Sequence, residues 1–175
     1  YAERLFQFPE VGALEARDAA DAVQEPVQEQ GVKFTEDALR EIIRQTKGYP
    51  YFLQEWGYQS WNLATRSPIG TGVVHEATRE SIRRLDANFF RVRFDRLTPR
   101  EKDYLRALAD MGDTTQRSGD IAERLHVKVQ SIAPVRNGLI RKGMIYSPAH
   151  GDTAFTVPLF SEFMKRIMPQ DRKRH

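Results

Sequence analysis

Apolar residues return at helical spacing through most of the chain. Leu14, Ala19, Ala22 and Val23 recur among acidic residues between Ala13 and Val27, and Pro26 is expected to break that helix near its end. Thr35 is a suitable N-cap for a second helix, whose stripe of Ala38, Leu39, Ile42 and Ile43 closes at Lys47-Gly48, a basic last turn followed by glycine. Pro50 then stands in the first turn of a third helix, where its missing N–H costs nothing, and Phe52, Leu53, Trp56, Trp61 and Leu63 supply apolar bulk. Ser67 to Gly72 reads as a loop, and a fourth helix runs from about Val73 through Ile82 and Leu85 toward Phe89 and Phe90. Ahead of all these, Leu5-Phe-Gln-Phe8 alternates like a half-buried strand that needs partners from elsewhere.

The second half changes register. Thr98-Pro99-Arg100-Glu101 satisfies a capping box, and Tyr104, Leu105, Leu108 and Met111 follow on one face up to Gly112. Ser118 is expected to cap the next helix, with Ile121, Ala122 and Leu125 inward, and the short turn His126 to Val129 leads to another. In that third helix Ile132, Val135, Leu139 and Ile140 face the core, while Gln130, Ser131, Ala133, Arg136, Asn137, Arg141 and Lys142 stay outside. Pro134 is tolerable only in a first turn, so the helix is placed from about Ser131 to Gly143. Met144 to Tyr146 and Ala154 to Val157 make a hairpin around Pro148 to Asp152. A last amphipathic helix carries Phe160, Phe163, Met164 and Ile167, and a basic tail, 170–175, follows.

Charge sharpens this division. Eight basic and 13 acidic residues lie within positions 1–80, against 19 basic and 11 acidic beyond, giving nets of −5 and +8. A polyanion partner and a solvated basic face both produce such an asymmetry. The chain has no cysteine, no apolar run long enough for a membrane span and no signal-peptide pattern, so a reducing, cytoplasmic setting without membrane contact is expected. It opens without methionine on an apolar strand, as though cut from a longer sequence.

The step Gly48-Tyr49-Pro50 admits two readings, the first being a tight turn between helices. The second comes from a resemblance. The order of strand end, acidic helix, Thr-capped helix, Gly-x-Pro step and aromatic helix over residues 1–95 resembles the lid of AAA+ and STAND ATPases, especially members related to origin-recognition proteins. That resemblance implies that Gly48, Tyr49 and Pro50 pack on the adenine of ATP or ADP held by a core outside this chain, with Leu5 to Phe8 as that core's last strand. Tyr51 stands where many AAA+ proteins carry a sensor arginine, which favours the STAND-like variety. The sequence holds no G-x-x-x-x-G-K-[ST] loop and no strand ending in paired acids for magnesium, so hydrolysis by this chain alone is not expected.

Residues 98–158 resemble a winged helix-turn-helix domain of the kind found in transcription regulators and origin-recognition ATPases. The resemblance implies that Gln130, Ser131, Arg136 and Asn137 meet bases or phosphates of double-stranded DNA, with Arg141, Lys142 and His150 on the backbone. Contact with protein, including a homo-oligomeric partner, stands beside it as the alternative. The fold expected is therefore mainly α: a helical lid bundle in 1–97, then a winged helix-turn-helix domain in 98–169 with three helices, a β-hairpin wing and a C-terminal helix. The four histidines, His75, His126, His150 and His175, lack metal-ligand spacing, and the acids of the first helix read as a solvated face, so neither a metal nor a catalytic pair is expected.

Overall fold

The computed structural model describes residues 12–169. The strand expected at Leu5 to Phe8 and the basic tail 170–175 lie outside those residues. The chain divides into two compact units after Ile82, earlier than the boundary expected at 97. The fold is mainly α with one small antiparallel sheet.

In the first unit α1 (Ala16–Gln28), α2 (Glu36–Thr46) and α3 (Pro50–Leu63) pack on one another, and α4 (Thr71–Leu85) follows. Ala19, Val23, Ala38, Ile42, Phe52, Leu53 and Trp56 fill the core, so the 3.6-residue period of the sequence is also the period of burial. Trp56 is fully buried, and its indole N–H donates to Thr78 Oγ1 at 2.9 Å, which removes the cost of burying that donor. Thr35 caps α2 by accepting from Ala38 N at 3.2 Å. Three expectations need correction. Pro26 does not break α1, which continues to Gln28; Pro26 and Ala22 are both exposed, so the carbonyl deprived of its intrahelical donor can turn to solvent. Trp61 and Leu63 belong to the exposed apolar residues: Trp61 points away from the face carrying Phe52, Leu53 and Trp56, and Leu63, although on that face, is the last residue of the helix. The fourth helix begins at Thr71, two residues before Val73.

The second unit begins with a change of winding. Asp86–Phe90 forms a π-helical turn, followed by α5 (Arg91–Phe94). Phe90 and Phe94 bury their rings against α9 (Phe160–Ile167), with Phe90 5.5 Å from Phe160 and Phe94 5.8 Å from Phe163 between centroids. This aromatic cluster draws residues 86–97 into the second unit and moves the division away from position 97. Asp86 also takes two hydrogen bonds from Arg166 of α9, at 2.8 and 2.6 Å.

The remainder is α6 (Pro99–Asp110), β1 (Gln116–Arg117), α7 (Ser118–Arg124), α8 (Val129–Arg141), β2 (Ile145–Tyr146) and β3 (Asp152–Phe155). The strands are ordered β1-β3-β2, with Gln116 opposite Thr153 and Ile145 opposite Phe155. The hairpin was legible, but β1 was not, since two polar residues give no alternation to read. Helices α7 and α8 form the helix-turn-helix, α6 packs on both α8 and α9, and the sheet makes a winged-helix-like flap. Arg106 and Arg124 both bond Asp110, and Arg106 also donates to the Met168 carbonyl at 2.6 Å, so the carboxylate ties α6 to α7 while Arg106 ties α6 to the end of α9. Among the described residues no helix is long and apolar enough to cross a membrane.

Candidate nucleic-acid interface

Helix α8 starts at Val129, two residues before the expected Ser131, so Pro134 is its sixth residue rather than part of its first turn. The helix survives because Pro134 lies on the open side with Gln130, whose carbonyl would otherwise accept from that position. The core side keeps Ile132 and Leu139 buried, with Val135 and Ile140 half-buried. The opposite stripe is Gln130, Ala133, Pro134, Asn137 and Arg141, all exposed at a period of three and four residues. Ser131 is exposed too, and its hydroxyl donates to the Lys128 carbonyl at 2.6 Å within the first turn.

The seven residues singled out for DNA contact separate into two groups. Gln130, Ser131, Asn137, Arg141 and His150 are exposed, and His150 stands in the wing loop between β2 and β3. Arg136 and Lys142 are spent within the domain. The Arg136 guanidinium donates from Nε to Thr153 Oγ1 at 3.0 Å and from Nη2 to Ser147 Oγ and the Asp152 carbonyl, both at 2.7 Å. One planar fork thus holds β3 and the wing loop against α8. Thr153, fully buried, meets the Tyr104 hydroxyl at 3.4 Å on its other side. Burial raises the Tyr104 pKa, against the lowering effect of Thr153 and Arg136. Helical spacing alone placed Arg136 outside; the sheet that covers it could be found only in three dimensions.

Lys142 serves the other end of the helix. Its ammonium bonds Glu101 Oε2 at 2.6 Å and the Arg96 carbonyl at 3.0 Å. Glu101 is the returning half of the capping box expected from sequence: it accepts from Thr98 N at 2.7 Å while Thr98 Oγ1 accepts from Glu101 N. Burial disfavours ionisation of Glu101, yet Lys142 and the two Thr98 contacts outweigh it and hold its pKa below the ordinary value. At the start of α7 the expected cap by Ser118 is replaced. Arg117 occupies the cap position, and Ser118 instead donates its backbone N–H and hydroxyl to the Gly151 carbonyl, each at 2.9 Å. Gly151, with φ of 82°, takes the left-handed conformation that turns the wing.

Comparison with known proteins adds little beyond this geometry. A family model described as a domain of unknown function, DUF8462, matches residues 87–164, less than half of the chain but most of the second unit. No curated protein matches significantly. Among solved structures, a point mutant of Thermotoga maritima RuvB matches at 14% identity and a TM-score of 0.42, covering 83% of this chain and 47% of that one. The Thermotoga maritima RuvB Holliday junction branch migration motor matches at 14% identity and a TM-score of 0.40 with the same coverage. The chain thus spans about half the length of these structures, and a likeness at this level assigns neither family nor activity.

The other sequence-derived site lies in the first unit. Gly48 has φ of 70°, and a Cβ there would stand 2.7 Å from the Leu14 carbonyl oxygen, so glycine is required both by backbone conformation and by space. Leu14 N donates to the Gly48 carbonyl at 2.9 Å, pinning the segment before α1 to the turn. Tyr49 occupies the cap position of α3 with its ring 4.7 Å from that of Phe52, and Pro50 is the first helical residue. These contacts account for a helix-to-helix turn with each of its three residues in a role. Among the described residues no group of His, Cys, Asp and Glu could hold a metal ion.

Proposed function

We propose that the second unit binds double-stranded DNA by laying the exposed stripe of α8 in the major groove, with the wing loop beside the backbone. The observation that carries this reading is the pairing of that stripe, Gln130, Asn137 and Arg141, with a wing held in place by Arg136. The excess of basic over acidic residues beyond position 80 supports it, because each Lys or Arg that neutralises a phosphate releases a counterion. Gln130 and Asn137 supply the amide groups that suit base edges, and Arg141 and His150 meet phosphates, as does Ser131. Arg136 and Lys142 contribute charge from positions fixed by their internal bonds.

In the same proposal the chain belongs to a longer, cytoplasmic AAA+ or STAND-like protein whose P-loop core binds ATP, and it hydrolyses nothing alone. Gly48, Tyr49 and Pro50 then face the adenine, and the assembly is a homo-oligomer. The link to that class rests on the resemblance of residues 1–95 to the lid of such ATPases.

A second reading has its own observation. Val127 and Val129, 46% and 48% exposed, flank the start of α8 beside a pocket of about 390 Å³ lined by Leu125, Ile132 and Val135, which suits a protein partner. Titration of a labelled duplex at stepped salt separates the two. The DNA reading expects affinity to fall steeply with salt, and the Gln130→Ala/Asn137→Ala/Arg141→Ala variant to lose at least about tenfold, each good base contact contributing about 1–3 kcal/mol. Binding that is absent at low salt, or indifferent to that variant, rejects DNA and leaves the protein partner.

A further inference from the structure

The groove between α1 and α3 is a feature that neither the DNA proposal nor the nucleotide proposal uses. It encloses about 440 Å³ and is lined by Val23, Pro26 and Val27 from one helix and Leu53, Tyr58 and Trp61 from the other. Tyr58 is 57% exposed and Trp61 37% exposed, although both are large aromatic residues of the type that anchors interfaces. Its floor is Gly57. A Cβ on Gly57 would meet only Val23 Cγ1, at 3.6 Å, which is ordinary contact, and the residue has no positive φ. Alanine would therefore fit, and glycine in a helix interior costs about 0.5–1 kcal/mol relative to alanine. Packing within the unit does not account for that glycine, and a side chain longer than alanine would project into the groove.

The rim fixes the character of the occupant. Between residues 15 and 29, Glu15, Asp18, Asp21, Glu25 and Glu29 are exposed carboxylates facing a single base, Arg17. Asp18, Ala22 and Pro26 succeed one another four residues apart, so the groove wall continues into acid at its N-terminal end, and Glu29 stands near the other. Apolar depth beside the acidic outer side of α1 matches a helix bearing aliphatic residues on one face and lysine or arginine along the border that meets α1. Among the described residues the basic, amphipathic α9 is not available for this, because it buries Phe160, Phe163 and Met164 in its own unit.

We propose that the α1–α3 groove is a docking site for a basic amphipathic helix of a partner protein. The test uses the 175-residue chain and two synthetic helical probes with identical leucine faces, one bordered by lysine and the other by glutamate. Trp61 reports occupancy through its emission, while the buried Trp56 reports folding. The lysine probe is expected to shift Trp61 emission saturably and the glutamate probe to bind at least tenfold more weakly. Gly57→Leu should weaken the lysine probe at least tenfold by filling the floor, with Gly57→Ala close to wild type, and Glu25→Lys/Glu29→Lys should weaken it without touching the apolar lining. Equal binding of both probes, or no loss in either Gly57→Leu or the charge-reversed variant, overturns the proposal. So does concentration-dependent self-association lost in Gly57→Leu, which assigns the groove to a second copy, or binding of anionic vesicles that the same substitution abolishes, which assigns it to a membrane surface.

Discussion

The two units solve the problem of a small core in different ways. The first relies on a continuous apolar interior around Trp56, and charged pairs such as Arg40 with Glu36 sit at its outside. The second places charge inside its framework: Arg136 joins helix to wing, Lys142 meets the capping box, and Asp110 gathers two arginines. Apolar packing tolerates a polar surface of either sign, and α1 carries its acids without structural consequence. Ionic struts cannot be removed so freely, because a buried partner left behind must be desolvated for nothing. Arg136 and Lys142 are therefore cations of the second unit's framework as much as of its surface.

Trp56→Ala should have the largest effect. Losing a fully buried indole costs about 3–5 kcal/mol and removes the donor to Thr78 Oγ1, so denaturant unfolding should show the first unit melting early. Amide exchange should then accelerate in α1–α3 while α6–α8 keep their protection. Equal acceleration in both units would mean that they do not differ as described.

Arg136→Ala comes next, at about 1–3 kcal/mol, confined to the second unit. Exchange should rise in β3 and the wing loop. Arg136→Lys should restore little of that protection, since an ammonium keeps the charge but not the planar fork. If lysine fully restores the wing, the strut is electrostatic rather than geometric.

The smallest effect concerns pH. The Glu41 pKa is lowered from 4.5 to about 2, first by its hydrogen bond with Arg44, which prevails over burial, with Gln45 and His75 adding to it. A carboxylate whose folded pKa is depressed stabilises the native state above its unfolded value, and that contribution disappears as pH falls through the folded one. The first unit should therefore lose stability between about pH 4.5 and about 2, and Glu41→Gln should flatten that slope. The second unit's acid sensitivity, set by Glu101 and Asp110, both with lowered pKa, should be unchanged by Glu41→Gln. A slope that persists in Glu41→Gln would place it elsewhere.

Much of this was legible from residue order. Thr35 and Thr98 announced their caps, Pro50 and Pro99 their first turns, and Gly48 a turn that only glycine can make. The α8 stripe also followed from period alone, as did the hairpin. What escaped depended on neighbours distant in sequence: β1 exists because β3 pairs with it, and Arg136 turns inward because a wing lies over it. The π turn at Asp86–Phe90 and its attachment to α9 were hidden for the same reason, since Phe90 and Phe163 are far apart along the chain. Trp61 misled in the other direction: an aromatic residue at helical spacing read as core, whereas it stands beside a groove.

The most direct test of the central claim is a map of backbone amide shifts in the ¹⁵N-labelled chain as duplex DNA is added at low salt. The account predicts that the largest changes fall between Lys128 and Arg141 and in the wing loop Ser147–Gly151, with α1–α3 silent. Changes concentrated in α1–α3, or none on α8 while the duplex is bound, would contradict it.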